Sequence, residues 1–289
     1  MAARAIDHLV LPVATLAGSR DFFEALGFTV APDAVHPFGT ANACVFFADG
    51  TYLEPLAVAD AGLCRDEAIA GNTFIARDRA FRARRGEPGF SGIAFVSDSA
   101  EADHAAFAAA GVADGEIYQF SRVFVAAGVE KTLTFRLAFA GDRRVPDLFF
   151  FGCQAMVAKG DRSALTGHAN GVTGIRRLVL SEPKPDDFAA LLQDVVGDVD
   201  ATATANGLSI EMANGQVEVL DAEGLAARYG RGRDGERGLR FEGVVLGVRD
   251  LNTVRGIAEM AGLAVQVING RLVVDLIGSD RGFLAFEAE

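Results

Sequence analysis

The sequence predicts an α+β fold in which one βαβββ unit occurs four times. Each copy starts with a short apolar strand, and the four strands begin at Ile6, Phe90, Ile175 and Phe241. An amphipathic stretch follows each strand and closes on a glycine 21, 21, 22 and 21 residues after the strand start, at Gly27, Gly111, Gly197 and Gly262. Recurrence at a fixed spacing indicates a repeated supersecondary unit.

The amphipathic stretches are predicted to be helices that bury one face. In the first copy Phe22, Phe23 and Leu26 have the three-and-four spacing of a buried helical stripe. Glycine after the last turn suits a helix C-cap. Short β-type runs separated by turn residues come next, such as residues 43–47 and 52–58 on either side of Asp49-Gly50.

Breaks between the copies predict two domains. Residues 59–88 and 222–238 are polar and rich in Arg, Gly or Asp, and the break at 157–171 divides the chain best. The prediction is an N-terminal domain at 1–156, a linker at 157–171 and a C-terminal domain at 172–289. The four units are predicted at 5–58, 90–154, 172–221 and 239–287.

Composition limits the partners. The 289 residues carry a net charge of −12, which disfavours nucleic acid, and no apolar run is long enough to cross a bilayer. The N-terminus does not have the pattern of a secretory signal, so we expect a cytoplasmic protein. The three cysteines, Cys44, Cys64 and Cys153, are widely spaced and are expected to be reduced.

With these units in view, the sequence resembles the vicinal oxygen chelate superfamily, which includes glyoxalase I, bleomycin-resistance proteins and extradiol dioxygenases. The segments Ile6-Asp7-His8-Leu9-Val10 and Tyr52-Leu53-Glu54, together with 36–42, 149–154 and 168–171, look like its glyoxalase-like branch. The resemblance implies that pairs of units form glyoxalase/bleomycin-resistance-type domains. Each would have a curled mixed sheet with the site on its concave side and helices on its convex side.

The resemblance also implies a metal site. In the superfamily the ligands are the third residue of the first strand and a carboxylate on the last strand of a unit. His8 and Glu54 match these positions in unit one, whereas unit two has Gly92 and a residue near Phe150. Units three and four have Arg177 with Glu218, and Gly243 with a residue near Ala285, which argues against extradiol dioxygenase activity.

His8 and Glu54 are therefore the predicted catalytic residues and metal ligands. Imidazole and carboxylate suit one divalent ion, Zn²⁺, Fe²⁺, Mn²⁺ or Ni²⁺, which would stabilise a developing oxyanion. A third ligand would have to come from His36, Gln154 or solvent. In the alternative, no metal or other cofactor binds, His8 is a hydrogen-bonded barrel residue, and Glu54 pairs with Arg136.

Five residues are predicted to bind substrate. Arg136 shares the polar face of the 132–139 strand with threonines and would hold an anion there or pair with Glu54. His36 and Asn42 flank a Gly39-Thr40 turn, Gln154 has the parity of Phe150, and His168 lies in the linker. Ordinary turn chemistry would also explain His36 and Asn42, capping of the next strand is the more ordinary explanation of His168, and Gln154 would replace a carboxylate with a neutral amide.

The sequence thus favours a glyoxalase-like protein that acts on a small oxygenated, partly apolar anion, as a metal-assisted lyase or isomerase. One alternative is a metal-free protein that binds or sequesters a small molecule, as bleomycin-resistance proteins do. In a further alternative the second domain is structural and pairs with the first domain or with another subunit, for example in a homodimer.

Overall fold

The computed structural model describes residues 2–126, 129–157, 161–197, 199–277 and 279–289, and gives backbone alone at 124–126 and 129–131. Two mixed β-sheets organise the chain, sheet A between residues 6 and 155 and sheet B between residues 172 and 288. The predicted α+β class, with two curled mixed sheets and accompanying helices, is confirmed.

Sheet A is assembled from units one and two. Its strands are β1 (Ile6–Pro12), β2 (Ala34–Val35), β3 (Thr40–Asn42), β4 (Val45–Phe46), β5 (Tyr52–Val58), β6 (Gly92–Val96), β7 (Tyr118–Ala126), β8 (Val129–Ala140) and β9 (Phe149–Ala155). Their order is β2-β3-β5-β1-β6-β9-β8-β7, and β4 also pairs with β5. The antiparallel β1–β6 pair joins the two units at the centre of the sheet.

Sheet B repeats this plan. Its strands are β10 (Val172–Ser181), β11 (Thr202–Thr204), β12 (Gly207–Met212), β13 (Gly215–Leu220), β14 (Arg240–Val248), β15 (Gln266–Ile268), β16 (Arg271–Leu276) and β17 (Ser279–Ala288). Their order is β11-β12-β13-β10-β14-β17-β16-β15. The first strand of each unit lies parallel to the last strand of the same unit in both sheets.

Four helices follow the first strands, as predicted: α1 (Leu16–Ala25), α4 (Ala100–Ala109), α5 (Ala189–Val196) and α7 (Leu251–Met260). The closing glycines all have positive φ, between 70° and 114°, which is accessible to glycine without steric cost. Three further helices lie between units, α2 (Ala61–Ile69) and α3 (Thr73–Arg85) in the first half and α6 (Ala222–Tyr229) in the second.

The interunit helices correct one expectation. The stretches 59–88 and 222–238 read as polar breaks, yet each contains helix with buried apolar residues. Phe74 and Ile75 of α3 are 3% and 0% exposed, and Tyr229 of α6 is 0% exposed. Their apolar residues are few and are outnumbered by arginine and acidic neighbours, so the local pattern does not show the buried stripe.

The two faces of each sheet have separate hydrophobic cores. Residues from the four unit helices, among them Phe23, Phe107, Leu192 and Val254, belong to one cluster shared by both sheets. On the other face of sheet A, strand residues including Val10 and Phe151 cluster with Phe74 of α3. The matching face of sheet B clusters with Tyr229 of α6. We call these two faces the concave faces, and the interunit helices partly cover them.

The domain boundaries at 1–156 and 172–289 stay a proposal. The halves contact each other closely, for example through the rings of Phe90 and Phe241, whose centroids are 4.8 Å apart. Among the helices in the described part of the chain, none combines the length and apolar character needed to cross a membrane.

Candidate functional site

His8 lies on the concave face of sheet A beside an irregularity in β1. The pairing of β1 with β6 shifts register between Ile6 and His8, and an extra residue in one strand turns neighbouring side chains away from strict alternation. Asp7 and His8 are both buried, and Asp7 Oδ2 lies 2.8 Å from His8 Nδ1. The carboxylate therefore accepts the Nδ1 proton, and the lone pair of Nε2 faces the other way.

Glu54 faces His8 from the neighbouring strand. In the parallel β1–β5 pair, Glu54 is opposite Val10, and its Oε2 is 3.5 Å from His8 Nε2. Its other oxygen, Oε1, accepts a 2.6 Å hydrogen bond from Asn42 Nδ2. Glu54 is 6% exposed. His8 and Glu54, both predicted from the sequence, therefore meet in the interior, where Asn42 holds one oxygen of the carboxylate.

His36 reaches the same carboxylate from a tight turn. Gly39 has φ 94°, and a Cβ there would come within 2.7 Å of the Asp60 carbonyl oxygen, so the turn requires glycine. His36 Nδ1 is 2.9 Å from Thr40 Oγ1, and its Nε2 is 3.8 Å from Glu54 Oε1. Asn42 Nδ2, 3.3 Å from that Nε2, bridges the imidazole and the carboxylate.

The imidazole of His36 is neutral at physiological pH. Burial, and then the positive charge of Arg122 and the proximity of His8, lower the pKa of His36 from 6.5 to about 3. Because Asn42 donates towards Nε2, the remaining proton is on Nδ1 and points to Thr40. The Nε2 atom of His36 therefore directs a lone pair into the site, and the imidazole is uncharged near neutral pH.

The cationic residue of the site is Arg122, and the assignment of Arg136 to the cavity is wrong. Phe135 and Leu137 of β8 face the concave cluster. Arg136, between them, faces the opposite side and forms a close ion pair with Glu101 of α4. Arg122 on β7 pairs with Leu133 and lines the cavity. The apolar face of β8 thus forms part of the aromatic cavity wall.

Arg122 has unused donors. Its Nε and Nη1 are buried, and neither has a hydrogen-bond partner among the described residues. Its guanidinium carbon lies 5.7 Å from the centroid of the Phe135 ring. A buried guanidinium nitrogen without an acceptor is costly, so an external anion would be bound favourably at this position.

The cavity around these groups is small and mostly aromatic. His8, His36, Tyr52, Glu54, Arg122 and Cys153 line it together with Phe38, Phe74, Phe120, Phe135, Leu137 and Phe151. Its volume is about 40 Å³. About 10–15 Å³ in this measure holds one water, and ligand sites commonly span about 300–1,000 Å³. A metabolite therefore requires the walls to separate, and Phe120 and Arg122 on the edge strand β7 are the side chains with most freedom to move.

Gln154 and His168 do not lie in the cavity, which corrects both predictions. Gln154 faces the convex side, where its Oε1 accepts from Ala100 N (3.1 Å) and its Nε2 donates to the Asp98 carbonyl (2.7 Å). His168 Nδ1 accepts from Thr29 N at 3.0 Å, and its Nε2 lies 3.0 Å from the Phe46 carbonyl oxygen. Burial lowers the pKa of His168.

Strand pairing identifies equivalent positions in the four units. Val10 pairs with Glu54, and at the corresponding places Ala94 pairs with Phe151, Val179 with Glu218 and Val245 with Ala285. The counterpart of Glu54 in unit two is thus Phe151 and not Phe150, a one-residue error that also put Gln154 on the wrong face. Glu218 and Ala285 are the counterparts in units three and four.

The residues of the first site fit a divalent ion. His8 Nε2, His36 Nε2 and a Glu54 oxygen are two imidazole nitrogens and one carboxylate oxygen, the donor types of many Fe²⁺ and Zn²⁺ sites. Asp7 and Thr40 hold the outer nitrogens, as partners of metal-bound imidazoles commonly do. Asp7, His8 and Cys153 also place donor atoms within 4.8 Å of one another.

The sequence reasoning missed Asp7 and Arg122. Asp7 was excluded by strict strand alternation, which the irregularity in β1 breaks. Arg122 could have been found from β7 alone, because it alternates with Tyr118 and Phe120 on an aromatic face. Aromatic rings beside an arginine indicate a cavity wall as readily as a core.

Comparison with known proteins gives the family. The profile of a family described as a glyoxalase-like domain matches residues 6–196, more than half of the chain. The chain therefore belongs to the glyoxalase-like family. No curated protein sequence matches it.

Solved structures share the fold at low identity. A hypothetical protein from Staphylococcus aureus is 12% identical with TM-score 0.67, with 99% of each chain covered. A variant of 4-hydroxymandelate synthase from Streptomyces coelicolor is 12% identical with TM-score 0.60, with 100% of this chain and 92% of that one covered. The Mn(II)-bound glyoxalase from Novosphingobium aromaticivorans is 12% identical with TM-score 0.55, with 100% and 83% covered.

Proposed function

We propose that the first half of the chain is a lyase or isomerase site that moves a proton on a small oxygenated, partly apolar anion. The observation that carries the proposal is the convergence of two imidazole nitrogens on Glu54, at 3.5 Å from His8 Nε2 and 3.8 Å from His36 Nε2. Their outer nitrogens are held by Asp7 and Thr40. Such arrangements fix the direction of the lone pairs before a ligand arrives.

Glu54 is the proposed proton acceptor. Asn42 occupies Oε1, so Oε2 is the oxygen available for a proton from the substrate. Without a bound ion, His8 Nε2 is close to that oxygen and can receive the proton or return it to a neighbouring atom; with an ion bound, Nε2 would be a ligand and would not take part in this transfer. Asp7, bonded to Nδ1, would stabilise the imidazolium formed in that step.

Arg122 replaces Arg136 as the proposed anion anchor. Its two buried nitrogens, which have no hydrogen-bond partner in the part of the chain that the structure describes, suit a carboxylate or enolate oxygen. The phenylalanine rings along the wall would bind the apolar part of the ligand. The proposed partner is thus a small molecule; a cytoplasmic location and a homodimer are further proposals without a structural test.

One divalent ion, Zn²⁺, Fe²⁺, Mn²⁺ or Ni²⁺, is proposed at this site, held by His8 and Glu54 with His36 as the third donor. When bound, it would supply Lewis-acid stabilisation to a developing oxyanion. Binding requires Asn42 to turn its amide oxygen towards the ion, because Nδ2 now points at Glu54 and His36.

The experiment is a metal determination on protein purified without chelators, with Glu54→Gln and His8→Gln as variants. Gln154→Ala is the matched control, because Gln154 lies on the other face of the sheet. We expect close to one ion per chain in the wild type and in the control, and a large loss in both site variants. Absence of any retained or restorable ion in the wild type would refute the metal-assisted form of the proposal.

One observation favours a second function, a metal-free binding protein. The amide of Asn42 already satisfies both Glu54 Oε1 and His36 Nε2, so the site is stable without an ion. This function predicts thermal stabilisation by small carboxylates that persists in chelator and disappears in Arg122→Ala. Stabilisation that chelator abolishes would favour the metal-dependent site instead.

A further inference from the structure

The segment that joins the two halves contacts the outer wall of the site through one arginine. Arg162 places its guanidinium carbon 4.1 Å from the centroid of the Phe46 ring and 5.4 Å from that of Tyr52. Both distances fall within the range of cation–π contacts. Arg162 had no assigned role in the sequence and is not one of the residues that line the cavity.

The rings beneath Arg162 lead directly to His8. Phe46 and Tyr52 are paired across β4 and β5, with ring centroids 5.0 Å apart. Tyr52 in turn stacks on the His8 imidazole at 4.5 Å with an interplanar angle of 16°. The plane of Tyr52 therefore sets the plane of His8, and with it the directions in which Nδ1 and Nε2 point.

The same segment is fastened to the first half at two further places. His168 bonds the Thr29 amide and lies 3.0 Å from the Phe46 carbonyl oxygen. Asn170 donates to the Leu26 carbonyl at 2.8 Å. Phe46 is thus contacted on its ring by Arg162 and on its backbone by His168. A mere connection between domains does not need contacts concentrated on one residue.

We propose that Arg162 is a positioning residue that fixes His8 through Tyr52, with His168 holding the backbone of the same hairpin. The inference rests on the proposed function in one respect only, the use of His8. The segment that leads into the second half then completes the first site. The second half would contribute to the site by holding this segment in place, although it provides no ligand residue of its own.

The test reads the His8 imidazole directly. The chain has only four histidines, His8, His36, His104 and His168, so their ¹⁵N imidazole signals can be assigned with single His→Gln variants. Arg162→Met removes the charge and the planar guanidinium but keeps a side chain of similar length, whereas Arg162→Lys keeps the charge without the planar group. Arg65→Met is the control, because the Arg65 side chain is 61% exposed. We expect a single set of His8 ring signals in the wild type and control, and loss of that single set in Arg162→Met.

Zinc binding provides a second measurement. Loss of a partly exposed cation–π contact is expected to weaken Zn²⁺ binding about two- to fivefold in Arg162→Met, with Arg162→Lys in between. Identical His8 signals in Arg162→Met and the wild type would overturn the proposal. If the wild type binds no Zn²⁺, the metal-assisted function fails, while the His8 signals still decide the role of Arg162.

Discussion

Glu54 and Glu218 occupy the same position in the two halves but have different surroundings. Glu54 faces two imidazoles and an amide. The arginine of its cavity, Arg122, has two buried nitrogens that find no hydrogen-bond acceptor among the described residues. Glu218 accepts from Arg228 at 2.7 Å and from the buried Tyr229 hydroxyl, both on α6. The third residue of the unit's first predicted strand is His8 in the first half and Arg177 in the second. Arg177 bonds Gln216 and lies 3.5 Å from Glu287.

The interunit helix accounts for this difference. In the second half α6 inserts Tyr229 against Phe283, with ring centroids 4.9 Å apart, and fills the concave face. In the first half α3 contributes Phe74 to the cavity wall but leaves the carboxylate accessible to other groups. A carboxylate at this position is therefore structural or functional according to what covers it.

The largest expected effect comes from removing the residue that fills the second face. Tyr229→Ala is expected to lower the free energy of unfolding by about 3–5 kcal/mol, because a fully buried aromatic ring leaves a cavity. Tyr118→Ala, at a partly buried ring at the edge of sheet A, should cost clearly less. Urea unfolding of both variants measures the difference, and equal losses would contradict the filled-face interpretation.

The two glutamates should respond oppositely to the same substitution. Glu218→Gln is expected to cost about 2–3 kcal/mol, because it weakens charge-assisted hydrogen bonds from the buried Tyr229 hydroxyl and the partly exposed Arg228. Glu54→Gln keeps an acceptor for Asn42 and should leave the free energy of unfolding unchanged or raise it, as is common for residues retained for function. A large loss of stability in Glu54→Gln would remove the contrast between the two sites.

The first half should also be the more sensitive to acid, because all four histidines precede residue 169. The pKa of His36 is lowered to about 3 in the folded state. Below pH 6.5 the imidazole is therefore protonated in the unfolded state and still neutral in the folded state, which favours unfolding. Its contribution is complete above pH 6.5 and declines as the pH falls towards 3. Between pH 7 and pH 5 the loss is about 2 kcal/mol.

His36→Gln should flatten this part of the stability profile, measured by urea unfolding at each pH. His168→Gln should act in the same direction, since burial lowers the pKa of His168 as well. His104→Gln, on α4 and away from the cavity, serves as the control. An unchanged acid slope in His36→Gln would show that His36 is charged or exposed in solution.

The smallest expected effect concerns one arginine on each concave face. Arg231 pairs with Asp275 at 2.5 Å, so Arg231→Met should cost about 1 kcal/mol by leaving that carboxylate unpaired. Both arginines have two buried nitrogens without a hydrogen-bond partner among the described residues, but Arg122 forms no ion pair with any of those residues, so Arg122→Met should be neutral or stabilising within about 1 kcal/mol. In a thermal-shift titration, stabilisation by small carboxylates should disappear in Arg122→Met and persist in Arg231→Met. Loss of this stabilisation in Arg231→Met as well would indicate that the second concave face also binds a ligand.

Much of this arrangement was readable from particular residues. The recurring strand and closing glycine predicted the four units, since a helix period followed by a glycine cap needs no tertiary partner to be recognised. His8 and Glu54 followed from their places within the unit. Arg136, Gln154 and Phe150 failed together, because each was assigned to a face by counting along one strand, and the strands are buried on both faces at residues 137–140 and 149–153. When both faces are covered, hydrophobicity does not distinguish them.

The sequence by itself determined the repeat, the fold class and the fact that only unit one has both a histidine and a carboxylate at the matching positions, because these depend on local spacing and side-chain chemistry. Tertiary structure alone decided which side of each sheet is concave, that Asp7 turns towards His8, and that Arg122 and not Arg136 faces the cavity. It also decided that α6 fills one face while α3 leaves the other partly open. These outcomes depend on strand register and on contacts between residues distant in sequence, which no local pattern contains.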